Sequence, residues 1–447
     1  MNQEIEIIIA NAWICQVKEN SIVPIFGDLV IRDQKIAEIR AIDFKNFISN
    51  KRKIDGHAFN AGGRVITIPL INFHDHFYSR LAKGLPLAGA MESFYQVLEN
   101  LWWKLDKALD LDMIEASAEM AALESIRQGV TYIFDHHSSP GSTKNSLTTI
   151  AHKLQDYGLR GVLCFETSDR NGNDLAQNAL DECERFTKKN VTDDIKSMLG
   201  LHASFTLSDV TLSKAAEMIE KLNLGIHIHL CEAETDRKIS LEKFRNYPVQ
   251  RLMRFNLLNK KSILSHGVHL NEDDYSIISQ AESAIAYNPD SNLNNAVGLP
   301  QFHNIPENIP ILVGTDGMHA NIARSMKQIF LLYRHQKNSF DNAFHWIKKI
   351  YFDQLNFIQP YFPDFTGLSR ADRADFIIWD YIPPTPLSGD KFWGHLIYGV
   401  LEYPIDSVIQ NGRFLMKNKV IRGEDQARIK IYQQGEKLFN RLKKLNA

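Results

Sequence analysis

The sequence predicts an α/β chain: a (β/α)8 TIM-like barrel with a small β-sandwich domain formed from both chain termini. Three observations predict it. Helical stretches alternate with short apolar runs over about 300 residues, the length of such a barrel. Strand-like segments occupy both ends of the chain. Histidines and carboxylates fall where the apolar runs stop, and barrel enzymes gather their chemistry at strand ends.

The N-terminal part reads as an antiparallel sheet. Its runs Ile5–Ala10, Gly27–Asp33 and Lys35–Arg40 are β-branched or alternating and are broken by turn residues. The same texture returns at Ala374–Asp380, and Val408–Gly412 runs through an Asn-Gly turn into Arg413–Lys417. Between them, helical stretches such as Leu111–Gln128, Thr211–Leu222 and Glu272–Ala281 are each followed by short apolar runs. The runs are Thr131–Asp135, Gly161–Glu166, Ile226–Cys231, Ser262–Ser265, Ala284–Tyr287 and Ile311–Gly314. A doubly wound open sheet is the alternative, but it calls for a glycine-rich phosphate loop after an early strand, and the chain has none. The expected division is therefore 1–66 and 369–447 for the small β-domain and 67–368 for the barrel. The last stretch, from Asp425 to Leu445, reads as an amphipathic helix for packing or oligomer contact.

Bulk properties narrow the function. A net charge of −2 over 447 residues offers no electrostatic case for nucleic acid or an anionic membrane. No apolar stretch reaches the roughly 20 residues needed to span a bilayer. The four cysteines have no CxxC spacing, which suits a reducing compartment, and the acidic start lacks the basic region of a signal peptide. A cytoplasmic enzyme with a small-molecule substrate, assembled as a homo-oligomer, is expected.

The motif that points to chemistry is Ile68-Pro-Leu-Ile-Asn-Phe-His74-Asp75-His76. Residues i and i+2 of a strand share a face, so two imidazoles converge at the end of a buried strand. That is half of a metal site; alone, such a pair is more often surface or packing than metal. Further groups arrive in order: His227, His229 and Glu232, then His266, then Asp316 after Ile311-Leu-Val-Gly-Thr. Each alone reads as a hydrogen-bonded core histidine or a capping aspartate. Together, each at the end of a separate apolar strand, they read as one site.

With these residues in place, the chain resembles the amidohydrolase superfamily, in its cytosine/guanine/triazine aminohydrolase branch, and within that the SsnA-type aminohydrolases. The resemblance covers nearly the whole chain and is carried by His74–Ser79, Asn100–Asp110, Phe134–Pro140, Cys164–Asn171 and Asn288–Asn295. It implies that His74, His76, His229 and Asp316 hold one divalent metal ion, Zn2+ by default with Fe2+ or Mn2+ as alternatives. It further implies that Glu232 is the acid/base carboxylate, that Asp316 also takes a proton from the activated water, and that His266 sits beside the developing oxygen. His227 is expected on the opposite strand face in a structural role. Binuclear relatives bridge their metals with a carboxylated lysine at the end of strand four; Val162–Glu166, assigned to that strand, has none, and with Glu166 as the alternative bridge a mononuclear site is the simpler expectation.

The implied reaction is hydrolytic deamination of an aminated N-heterocycle, a purine, pterin, pyrimidine or triazine. His136, His137 and His202 are the expected substrate contacts. Trp102 and Trp103 read equally as cavity wall or core. Arg80 reads as a charge near the mouth or a solvent-facing one, and the aromatic stretch Tyr351–Phe365 as a lid or an oligomer surface. Two rival functions stand beside deamination: hydrolysis of a cyclic amide at the same metal centre, and a non-enzymatic metabolite-binding role.

Overall fold

The computed structural model describes residues 6–49, 58–86 and 89–445. Both chain ends contribute to one sheet. Ile7–Lys18 pairs antiparallel with Ser21–Arg32, and that strand pairs with Lys35–Ala41. On its other edge, Ile7–Lys18 runs parallel to Val65–Thr67, which in turn pairs with Phe376–Trp379. Ile405–Gln410, Arg413–Lys417 and Val420–Ile421 extend the order, and Phe59–Asn60 adds a ninth strand. Instead of the two sheets of a sandwich, the pairing is continuous, because Val65–Thr67 lies between the two ends and bonds to both. The Asn-Gly turn forms as read: Asn411 and Gly412 have φ of 51° and 69°, the left-handed pair that a two-residue hairpin requires.

The middle of the chain supplies parallel strands in two sheets. The first sheet holds Leu70–Asp75, Val130–His137, Arg160–Phe165 and Ile195–Ser197; the second holds Leu199–Ala203, Ile226–Leu230, Ile263–His266, Ala284–Tyr287 and Ile311–Val313. Backbone bonds join them on both sides. Met198 N donates to Leu163 O and Thr167 N to Gly200 O, while Thr315 N and Asp316 N both donate to His74 O at 3.0 and 2.9 Å. Helices separate consecutive strands except Ile195–Ser197 and Leu199–Ala203, which Met198 alone divides. Several start at side-chain caps: Asp110, Ser208 and Asn271 accept from the amides of Met113, Thr211 and Asp274, groups that the first helical turn leaves unpaired.

Aromatic rings close one end of the parallel strands. Phe73 and Phe134 pack at 4.9 Å, Phe73 meets Phe357 edge-on, and Tyr132 meets Phe362 and Phe365. This corrects the expectation of a lid in Tyr351–Phe365. The stretch leaves helix Phe340–Ile358 and folds under the strands, where Phe362 is fully buried. Burying each such ring contributes about 1.5–3 kcal/mol, which exposure on a lid would forfeit. The last helix, Glu424–Leu445, packs on Leu111–Arg127 through buried Leu438 and Leu442, with Glu424 paired to Arg127 and Arg441 to Asp110. Among the described residues, no helix is long and apolar enough to cross a membrane.

Candidate metal centre

The first parallel strand is irregular where it matters. Its register against Val130–His137 shifts between Asn72 and Asp75. That bend brings the rings of His74 and His76 to 4.7 Å, centroid to centroid. Asp75 points the other way, as alternation requires. Its two oxygens accept from Arg80 Nη2 at 2.6 and 2.8 Å, Oδ2 also accepts from Asn72 Nδ2 at 2.8 Å, and Arg80 also pairs with Glu124. Arg80 is therefore neither at the mouth nor in solvent; it is buried and neutralises the carboxylate between the two histidines.

Strand Ile311–Val313 meets this one through Gly314. A Cβ there would lie 2.7 Å from the His74 Cβ and 2.3 Å from Asn288 Oδ1, so only glycine permits the approach. Asp316 follows with φ of 53°. His266 has φ of 76° and Cys231 of 47°. Non-glycine residues held in this region at strand ends store strain of about 1–3 kcal/mol each, a pattern that clusters at functional sites.

One nitrogen each of His74, His76 and His229 and one oxygen of Asp316 lie within 4.8 Å of one another. The hydrogen bonds behind them settle which atoms face the centre. His76 Nδ1 donates to the His136 carbonyl at 2.5 Å, so in the neutral ring Nε2 carries a lone pair. That Nε2 stands 3.1 Å from His229 Nε2 and 2.9 Å from Asp316 Oδ1. His74 Nε2 is buried with no hydrogen-bond partner. Lone pairs converging without enough protons to separate them are the donor set of a divalent cation, and these residues fit one. Without an ion, burial works against charge on His76 but the Asp316 carboxylate outweighs it and holds the imidazole up at about 9, so Nε2 then carries a proton that a divalent cation would displace. Burial pushes the Asp316 carboxyl up, and the neighbouring imidazoles of His74 at 3.4 Å and His76 at 2.9 Å outweigh that and hold it well below its ordinary range.

His227 requires a correction. Residues 227 and 229 share parity, so both rings face the interior of the sheet. His227 Nε2 lies 2.8 Å from His74 Nδ1 and 3.2 Å from Ser265 Oγ. It sits two residues deeper than His229 and orients His74 from behind.

Glu232 and His266 lie beside the ligand set, with His266 Nε2 at 3.5 Å from Glu232 Oε2. Burial, then the Asp316 and Asp236 carboxylates, push Glu232 well above the usual carboxylate range, so the proton shared by the pair rests on Glu232. Burial lowers His266 to about 4, which keeps it neutral. Asn292 Nδ2 donates to His266 Nδ1 at 2.9 Å, so the ring's own proton is on Nε2, facing the centre. Ser291 Oγ donates to Asp316 Oδ2 at 2.5 Å and Asn295 Nδ2 to Glu232 Oε1 at 3.2 Å. Ser291, Asn292 and Asn295 had no role assigned from sequence; the signal was the polar run that follows strand Ala284–Tyr287.

A cavity opens from the ligand set. His76, His229, Glu232 and Asp316 form one side and Tyr78, Trp102, Trp103, Glu166, Arg170 and His202 the other. Both tryptophans are thus cavity wall. Of the three expected substrate contacts, only His202 lines this space. His136 is turned inward, its Nε2 shared between the carbonyls of Leu201 and His227 at 3.0 and 3.1 Å. His137 bonds Ser139 Oγ at 2.8 Å, behind Tyr78. Strand numbering also shifts: Glu166 follows the third parallel strand, Arg160–Phe165, and the fourth is split into Ile195–Ser197 and Leu199–Ala203, with His202 near its end. Neither place holds a lysine, and Glu166 stands with His136 and His229 in a second group whose ligand atoms lie within 4.8 Å of one another.

The amidohydrolase family model matches residues 65–351. The chain is 24% identical over 433 residues to a 5-methylthioadenosine/S-adenosylhomocysteine deaminase of Bacillus cereus, with 94% of this chain and 96% of the relative covered. It is 26% identical to a 5'-deoxyadenosine deaminase of Methanococcus aeolicus, covering 93% and 95%. An adenosine deaminase structure from Xanthomonas campestris with bound zinc superposes with a TM-score of 0.79 at 15% identity, covering 97% and 98%. That likeness gives the chain a TIM-barrel-like α/β fold.

Proposed function

We propose, from the premise that this chain belongs to the amidohydrolase family, that it deaminates an aminated N-heterocycle of adenosine type at a single divalent ion held by His74, His76, His229 and Asp316. Family and deaminase-named relatives make it a hydrolase acting on carbon–nitrogen bonds. The observation that carries the reading is the set of converging lone pairs, with a protonated Glu232 and an ionised Asp316 beside it.

When bound, a divalent ion lowers the pKa of a water to about 7 and so supplies the nucleophile at neutral pH. Asp316, ionised and steadied by Ser291, accepts a proton from the attacking water and passes it to the leaving amine. Glu232 donates its proton to the ring nitrogen beside the attacked carbon, which discharges the electrons pushed into the ring. His266 points its Nε2–H at the oxygen that develops on that carbon. Trp102, Trp103 and Tyr78 line the approach and keep bulk water from the reacting atoms.

Zinc is the ion proposed, supported by the nitrogen and oxygen donors; iron and manganese, which take the same donors, are the alternatives that metal analysis of active protein distinguishes. The same proposal includes closure of the two parallel sheets into a (β/α)8 barrel, supported by the bonds at Thr167 and His74. It also includes the division of the chain at 66/67 and 368/369, a cytoplasmic location consistent with four free buried cysteines, and a homo-oligomer. Ammonia release from adenosine-type, guanine-type, pterin and triazine amines by metal-quantified protein tests the reaction. Stoichiometric ammonia from at least one is expected. Turnover of a cyclic amide without ammonia would replace deamination by ring opening.

A further inference from the structure

The terminal helix, Glu424–Leu445, carries two rows of apolar side chains, and only one of them is covered. Ala427, Ile431, Leu438 and Leu442 are buried against the body of the chain. A second row stands out from the molecule: Ile429 is 62% exposed, Tyr432 73% and Phe439 38%. Single exposed apolar residues are ordinary on a protein surface. These three are not single. Together with Asp425, Glu436 and Lys443, all exposed, they follow one another at steps of four, three, four, three and four residues. That is the spacing of a coiled-coil seam, which forms one continuous stripe along a helix. The stripe runs about 27 Å.

The stripe is complementary to its own reverse. In an antiparallel pair with a two-fold axis level with Gln434, each residue meets the one equally far beyond that point on the second copy. Asp425 then faces Lys443, Ile429 faces Phe439 and Tyr432 faces Glu436, each pair occurring twice. A carboxylate meets an ammonium at both ends, apolar pairs lie inside them, and at the centre the Tyr432 hydroxyl donates to a carboxylate. The ends match because the helix is acidic in its first turn and basic in its last. A parallel pair would instead set Glu436 on Glu436 and Lys443 on Lys443, like charge on like. These charges are also uncommitted. Glu424, Arg428 and Arg441 are paired within the chain, whereas Asp425, Glu436 and Lys443 have no ion-pair partner among the described residues. An anionic membrane is the poorer occupant, because two acids lie within the stripe itself and its surface potential repels them.

We propose that this stripe is the contact surface of a homodimer, in which the terminal helices of two copies pack antiparallel about a two-fold axis level with Gln434. This rests on the homo-oligomer proposed above and names its surface. One helix face is small against the roughly 800 Å² per partner of a long-lived interface, so the dimer is expected to come apart at about micromolar concentration.

Sedimentation velocity on the full chain tests the proposal. Dimer at about 100 μM chain, giving way to monomer near about 1 μM, is the expected result. Two-fold symmetry uses every contact twice, so Ile429→Asp or Phe439→Asp is expected to weaken the dimer about 100-fold or more. Asp425→Lys and Lys443→Glu are each expected to weaken it about tenfold, and the two together to restore it to within about threefold. Far-ultraviolet circular dichroism matching the wild type shows that each variant folds. Should an aspartate variant not fold, the charge exchange still decides. An oligomer undiminished by the aspartate variants overturns the inference and leaves the homo-oligomer reading intact. So does a double reversal that binds no better than either single one. A chain that is monomeric at every concentration overturns both, and sedimentation of that monomer with phosphatidylserine vesicles would make the stripe a membrane contact instead.

Discussion

The molecule carries two His-x-His pairs, and they do different work. His74 and His76 both reach the ligand set, whereas of His227 and His229 only His229 does. Alternation alone puts both members of each pair on the inner face. Two residues of strand are about 7 Å, too far for both rings of a straight strand to reach one ion. The first strand solves this with its register shift between Asn72 and Asp75, and the second pair sits on a strand in unbroken register with Ile263–His266. His227 is left one layer down, against His74. Spacing thus selects the face, and strand regularity selects how many histidines reach the centre.

The largest effect expected from breaking this difference is at His76 or His229. Alanine at either should remove bound metal, measured by plasma emission, and lower kcat/KM by roughly a thousandfold or more. Glu232→Gln, three residues past the second pair, should keep one equivalent of metal and lower kcat by about 10²–10⁴-fold. Retention of near-normal kcat would end the assignment of Glu232 as the acid. Arg80→Met leaves Asp75 as an unpaired buried charge beneath the bend and should cost about 3–5 kcal/mol of stability, read from denaturant midpoints. His227→Leu should be the mildest: metal affinity falls about 10–100-fold, and excess zinc restores turnover. A loss that zinc does not repair would place His227 among the reacting groups.

Much of the site was legible because its residues stand where apolar runs stop. His74, His76, His229, His266 and Asp316 each end such a run, and the structure brings all five together. His227 was legible in principle, since its parity with His229 assigns it to the inner face. What sequence could not show was pairing at a distance. Arg80 lies five residues from Asp75, and only the turn of the short helix Phe77–Ala82 folds it back. The fourth strand escaped notice because Ile195–Ser197 and Leu199–Ala203 form a broken, partly polar run with no apolar stretch of ordinary length. Tyr351–Phe365 was misplaced for a related reason: aromatic composition marks burial or exposure equally well until the strands it covers are known.

The account's central claim is a single-ion centre. Metal-free protein titrated with zinc while ammonia release is followed tests it most directly. The account predicts no turnover without zinc, a linear rise, and a break at one equivalent per chain. Full activity in the metal-free protein, or a rise continuing to two equivalents, would contradict it.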